Sequence, residues 1–185
     1  EIAALDATRS ISTRESKRRQ TLLAEAAIYA GLDITRHAPA KRFGMRIESL
    51  ELAVMGLGKL GGAGIDYDSD LDLVMVYDDS ASNLRKVADT EFFGRAVGIF
   101  VNVLSGVTRE GSLYRVDLRL RPYGNNGPGA ISRRSFAEYV RTEAAIWEML
   151  AFLKIRNAGG LQRSSGCRDR IGHFDPNQLP NKAIA

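Results

Sequence analysis

The sequence predicts an α+β domain, a small mixed sheet flanked by helices. Three observations lead there. Apolar residues alternate with polar ones, or run together briefly, at about 50–56, 70–77 and 113–121, which reads as three strands. Apolar residues three and four apart over 12–30, from about Ser82 to Leu104, and again from about Ser135, read as helices able to cover a sheet. Only Ala63 to Ser69 lie between a glycine-rich turn and the second strand. That is too short for the crossover of a dozen or more residues that joins parallel neighbours, so the first two strands are adjacent.

Each element has its own signal. In the first helix, 12–30, Ser12 and Glu15 have capping-box spacing, Leu22, Leu23, Ala26 and Ala27 form the apolar stripe, and Gly31 ends it. Its basic start, Arg14 to Arg19, reads as a solvated helix face rather than a site for an acidic partner. A polar connector covers 32–48, so that 1–49 is a helix and connector and 50–160 the core. Gly106 closes the helix of 82–104. The turn-rich Gly124–Gly129 follows the third strand. In the last helix Ser135 and Glu138 mark the start, and Phe136, Tyr139, Val140 and Trp147 supply a buried stripe. Residues 161–185 are polar, lack a sustained apolar period and read as a loosely ordered tail.

Composition narrows the class. A chain of 185 residues with 44% hydrophobic content can bury a core, as one domain or one domain with arms. A net charge of +4 and a pI near 9.4 favour anionic partners, nucleotides or nucleic acid, without choosing between them. The single cysteine, Cys167, excludes an internal disulfide and a cysteine-built metal site and suits a reducing compartment. No apolar run approaches the roughly 20 residues of a membrane span, and no apolar signal core opens the chain. The cytoplasm is the expected location.

The stretch Met55-Gly56-Leu57-Gly58-Lys59-Leu60-Gly61-Gly62 matches G-x-G-x-x-G literally. A dinucleotide fold would need a helix after the glycines to present amides to the phosphate, and the short 63–69 segment does not provide one. A Walker loop fails too, since Leu60 follows Lys59 where Ser or Thr belongs. The turn can still act as a nest of backbone N–H groups with Lys59 as a nearby charge.

In the second strand Asp70 and Asp72 point to one sheet face while Leu71, Leu73, Met75 and Tyr77 point to the other. Residues two apart on a strand are separated by roughly 6.5 Å, so both carboxylates can lean onto one hard cation. The third strand repeats the design, with Leu113, Arg115, Asp117, Arg119 and Arg121 opposite Tyr114, Val116, Leu118 and Leu120. If its apolar side packs on the helices, Asp117 joins Asp70 and Asp72 on an open face beside arginines. Oxygen ligands suit Mg²⁺, and two such ions can stabilise attacking and leaving oxygens in a nucleotidyl displacement. The plainer alternative is an antiparallel sheet with one solvated, charged face.

These residues resemble a known family. Gly58-Lys59-Leu60-Gly61-Gly62, then Tyr67-Asp68-Ser69-Asp70-Leu71-Asp72-Leu73, is similar to the nucleotidyltransferase core of bacterial glutamine synthetase adenylyltransferase. So are Tyr114 to Pro128 (YRVDLRLRPYGNNGP), Phe136, Tyr139, Arg141-Thr142-Glu143, Trp147-Glu148 and Lys154-Ile155-Arg156. The resemblance covers about 50–160. It implies a DNA polymerase β-like nucleotidyltransferase fold, Mg²⁺ (one or two ions) held by Asp70, Asp72 and Asp117, and ATP as substrate. It implies that Gly61 and Gly62 contact nucleotide phosphate, with Ser69, Lys59, Arg119 and Arg121 as further phosphate-binding candidates. Glutamine synthetase is the implied protein substrate and a nitrogen-signalling regulatory protein a further partner; membrane and nucleic acid are not implied.

Members of that family are long and carry two related catalytic domains, one attaching AMP to a tyrosine of glutamine synthetase and one removing it by phosphorolysis to ADP. Tyr67 to Asp72 leans toward the first, and Arg115-Val116-Asp117 with Pro122-Tyr123-Gly124 toward the second, so both directions stand. The chain departs from the family pattern at Gly64-Ile65, where Glu-Leu is usual, and at Asp68, where serine is usual. His37 and His173 lie outside the motifs. The rival expectations are a catalytically weak nucleotide-sensing or partner-docking module and, on charge alone, a nucleic-acid-binding domain.

Overall fold

The computed structural model describes residues 1–37, 52–78 and 86–160. In chain order these form α1 (Ile2–Ala7), α2 (Thr13–His37), β1 (Leu52–Gly56), a single-turn α3 (Gly58–Gly61), β2 (Leu71–Tyr77), α4 (Lys86–Ser105), β3 (Val116–Asp117), a 3₁₀ turn (Gly124–Asn126), β4 (Ile131–Ser132), α5 (Arg133–Thr142), α6 (Ile146–Phe152) and β5 (Arg156–Gly160). The expectations for 38–51, 79–85 and the 161–185 tail, with Cys167 and His173, lie outside the described residues, as does the side chain of His37.

The sheet is mixed, as expected, in the order β3-β2-β1-β5. β1 and β2 pair antiparallel, with Gly56 opposite Leu73, so the glycine-rich turn does join adjacent strands. β3 and β4 both run parallel to β2 along its other edge, β3 beside its start and β4 beside its end.

Both faces of the sheet are covered, which revises the expectation of one open face. On one side Leu52, Val54, Leu71, Leu73, Met75 and Tyr77 meet Ala24, Ile28 and Leu32 of α2 and Phe93, Val97, Phe100 and Leu104 of α4. On the other, Ala53, Met55, Val74 and Val76 lie under Tyr139, Val140 and Phe152 of α5 and α6. Asp72 shares its face with Val74 and Val76, so only the start of β2 is left for polar chemistry.

Several elements differ from their sequence reading. α1 is an addition, tied to α2 by the Ser16 hydroxyl donating to Asp6 at 3.1 Å. Ser12 caps α2 as expected, accepting from the Glu15 amide at 3.2 Å. Gly31 does not end that helix: a Cβ there would sit 3.2 Å from the Phe100 ring, so this glycine lets α2 and α4 close together and the helix runs on to His37. The buried stripe of α2 is Ala24, Ile28 and Leu32, whereas Leu22 and Leu23 are about half exposed.

The third strand shrinks to Val116–Asp117 because the Asp117 carboxylate accepts the Arg119 amide at 2.8 Å, a side-chain turn that stops the ladder. The last helix opens at Arg133, not Ser135, with Ser132 as its cap: the Ser132 hydroxyl oxygen accepts from the Ser135 amide at 3.1 Å. It breaks after Thr142, and Trp147, on α6, is 60% exposed rather than buried. Glu148 locks the break, accepting from the Tyr139 hydroxyl at 2.6 Å and the Ala145 amide at 2.8 Å. Burial first, and that hydrogen bond second, push the Tyr139 hydroxyl up to about 12. β5 was not legible as a strand. Its Gly159 lies against α2, where a Cβ would come within 2.7 Å of Ile28. Ser132→Ala should cost about 1 kcal/mol by removing the cap of α5, measured by urea denaturation; an unchanged midpoint would show the cap to be dispensable.

Candidate active site

The site is assembled at the start of β2. The amide of Leu57 donates to the carbonyl of Asp72 at 2.9 Å, which seats the glycine turn directly over this residue. Gly58 follows with φ +52, in the left-handed region that favours glycine, and a Cβ there would collide with Asp72 Oδ2. Gly61 and Gly62 differ from each other. Their amides donate to Leu57 at 2.7 Å and Gly58 at 3.1 Å, closing the turn of α3. Gly61 is pressed against the Lys154 carbonyl, while Gly62 is exposed and a Cβ there would meet nothing nearer than 3.5 Å.

Asp72 and Asp117 are direct partners in the parallel β2–β3 register, and Asp70 stands two residues before Asp72. Burial, then the negative charges of Asp117 and Asp70, hold the Asp72 carboxyl above the usual carboxylate range. The nearby Arg119 and Lys59 charges pull the other way without offsetting this. Asp117 is shifted the other way, because the Arg119 guanidinium hydrogen-bonds it. Three carboxylates at one strand start, one of them only partly compensated, offer the hard oxygen donors that suit a divalent cation such as Mg²⁺. Among the described residues, no three His, Cys, Asp or Glu side chains are drawn close enough to hold an ion as they stand. The outer two carboxylates are turned onto arginines.

The expected phosphate-binding side chains divide. Lys59 Nζ donates to Ser69 Oγ at 3.2 Å, so these two stand together between the turn and β2. Arg119 lies at the carboxylates. Arg121 does not reach out: its guanidinium donates to the carbonyls of Leu118 at 2.8 Å, Asn125 at 3.3 Å and Gly127 at 3.4 Å, which braces the loop after β3.

Two residues that the sequence reading left without a role are built into the site. Arg115 donates to Asp70 Oδ1 at 2.5 Å and to the Asp68 carbonyl at 2.9 Å. Asp68, the family departure, has φ +58 and faces Arg115 with its carboxylate at 3.3 Å. Arg156 donates to the carbonyls of Leu60 at 2.9 Å and Gly61 at 3.2 Å, and its other nitrogen pairs with Glu25 of α2. A cation at the carbonyl end of a helical turn is well placed. Period-two alternation put Arg115 on the carboxylate face, but nothing in the sequence spacing linked Arg156 to the turn. The other departure, Ile65, is buried, and its amide donates to Thr21 of α2 at 3.2 Å; Asp66 beside it pairs with Lys17 at 3.1 Å.

A small mixed sheet flanked by helices, with a glycine turn and aspartates at one strand start, defines a nucleotidyltransferase-like fold. The family model described as glutamate-ammonia ligase adenylyltransferase matches residues 1–169, and the chain belongs to that family. It is similar to the bifunctional glutamine synthetase adenylyltransferase/adenylyl-removing enzymes of Methylococcus capsulatus (36% identity over 81% of this chain and 16% of that protein) and Rhizobium meliloti (38% over 80% and 16%). The enzyme of the same name from Pseudomonas aeruginosa is 32% identical over 86% of this chain and 17% of its own length. The chain thus spans about a sixth of the length of these relatives. Among the described residues no helix is long and apolar enough to cross a membrane.

Proposed function

We propose that this chain is the core of a cytoplasmic, Mg²⁺-dependent nucleotidyltransferase domain that transfers AMP from ATP to a tyrosine of glutamine synthetase, or removes it by phosphorolysis. The observation that carries this reading is the register pairing of Asp72 with Asp117 under the glycine turn, with Asp70 beside them. In it Asp70, Asp72 and Asp117 hold Mg²⁺, which when bound supplies positive charge against the phosphate oxygens. Gly62, Ser69, Lys59 and Arg119 bind and orient the phosphates, and Arg115 keeps Asp70 aimed at the patch. Gly61 serves the turn's shape, and Arg121 the loop that carries Arg119.

The same groups serve both directions. A tyrosine oxygen attacking the α-phosphate with loss of pyrophosphate, and phosphate attacking a tyrosyl-AMP to form ADP with the tyrosine oxygen leaving, place their charge at the same phosphorus. A nitrogen-signalling regulatory protein is the further partner of this reading.

Calorimetric titration of ATP with and without Mg²⁺ tests it, on the native chain and on an Asp70→Asn, Asp72→Asn double variant. Binding that requires Mg²⁺ and is lost in the double variant is the expected result. A folded native chain that binds no ATP would leave the motif as scaffold and favour the partner-docking alternative.

A further inference from the structure

Arg119 has a feature that neither neighbouring arginine of the site shares. All of its side-chain hydrogen bonds go to one carboxylate: Nε donates to both oxygens of Asp117 at 3.0 and 2.9 Å, and Nη2 donates to Oδ2 at 2.6 Å. The Arg119 amide takes Oδ1 as well, at 2.8 Å. A carboxylate offers about four lone-pair directions, so Asp117 is fully engaged and has none to give a cation. Yet the Asp117 side chain is 14% exposed while that of Arg119 is 75% exposed, so the arginine lies over the acid from the solvent side.

The neighbouring arginines are held differently. Arg121 is fixed by three loop carbonyls and cannot leave without unbracing the 118–127 loop. Arg115 has three anchors, Asp70, the Asp68 carbonyl and the Asp68 carboxylate. Arg119 alone of the three can swing away at the loss of a single partner, Asp117, and its own side chain already stands three-quarters in solvent. Its backbone stays in place, because the amide bond to Asp117 does not depend on the guanidinium.

We propose that Arg119 is an exchangeable counter-ion: it occupies Asp117 while the site is empty of metal, gives way when a divalent cation binds Asp72 and Asp117, and is thereby released toward the nucleotide phosphates. This rests on the reading of the carboxylates as the cation site. It adds that cation and guanidinium compete for the same oxygens, so loading of the metal and exposure of a phosphate-binding group are one event. Competing occupation of one acceptor is a linkage, and each partner weakens the other by the same factor.

The test uses Mn²⁺ alone as probe, with no nucleotide, and reads free ion by electron paramagnetic resonance. Arg119→Met should bind Mn²⁺ roughly tenfold or more tightly than the native chain, since a unit charge a few ångströms from the ion is removed. Arg119→Lys, which keeps the charge and loses the two-oxygen fork, should fall between them and serves where the methionine variant folds poorly. With Mn²⁺ saturating, Arg119→Met should bind ATP several-fold more weakly, the reverse of its effect on the metal. Mn²⁺ affinity that is unchanged or lower in the arginine variants, while Asp72→Asn abolishes binding, overturns the exchange and leaves the cation site intact. Native Mn²⁺ binding that Asp72→Asn does not touch overturns the cation site and the exchange together.

Discussion

Replacing Asp72 with asparagine should stabilise the metal-free chain while lowering the AMP transfer to glutamine synthetase proposed for it by about 10²–10³-fold. The two effects have one origin. Asp72 is held above the ordinary carboxylate range by burial and by its two acidic neighbours, so its charged form is a cost to the folded state in the absence of a cation. An asparagine is nearly isosteric and carries no charge. It cannot bring the third negative charge that a divalent ion needs.

The pH dependence follows with a definite sign. Because the folded pKa of Asp72 is raised, the folded chain holds a proton that the unfolded chain has lost between the ordinary carboxylate pKa and the raised value. Stability attributable to this group therefore falls as pH rises through that window and stays lower above it. Asp117 and Asp66 are shifted down, Asp117 by Arg119 and Asp66 by Lys17, and their contributions run the opposite way, lost as pH falls. The native profile mixes these. The difference between native and Asp72→Asn melting curves in a chelator isolates Asp72, and each kcal/mol registers as about 2–4 °C in a chain of this size. A variant that melts lower at every pH would refute the stability claim, and one that retains full transfer would refute the role of the site.

How much of this was legible in the sequence depended on the range of the interaction. Alternation along β2 separated Asp70 and Asp72 from Leu71 and Leu73, because side-chain direction on a strand is local. The short 63–69 segment fixed β1 and β2 as neighbours by chain geometry alone. The limits are equally physical. Gly31 carries the same symbol whether it ends a helix or admits the Phe100 ring, and only the crossing of α2 and α4 decides between them. Asp117 was placed on the right face of a strand drawn too long, since the turn that stops β3 is made by the side chain of Asp117 itself. β5 reads Arg-Asn-Ala-Gly-Gly, against strand propensity, and is a strand because β1 needs a partner where α2 presses on the sheet. Arg156 reaches the glycine turn from far along the chain, a contact that no spacing rule could supply.

The adjacent glycines of the turn should respond oppositely to alanine, and the contrast separates shape from contact. In an open helical turn alanine gains roughly 0.5–1 kcal/mol over glycine. At Gly61 that gain is overridden, because the new Cβ would run into the Lys154 carbonyl and lie 2.9 Å from the Gly56 carbonyl, both of them backbone. Either α3 or the turn before β5 must move, and Arg156, which donates to the carbonyls of both Leu60 and Gly61, resists the first. Gly61→Ala should therefore lose about 1–3 kcal/mol. Gly62 has φ −80 and ψ 8, which alanine adopts freely, and its surroundings are open, so Gly62→Ala should be neutral or stabilising by up to about 1 kcal/mol. Thermal melts of the two variants give the stability ranking, and ATP titration with Mg²⁺ gives the second axis. If the exposed side of the turn receives phosphate, Gly62→Ala weakens ATP at undiminished stability, an effect that a shape-only role of the turn cannot produce. If Gly62→Ala binds ATP as the native chain does, the phosphate lies elsewhere, and Lys59 with Ser69 becomes the contact to remove next.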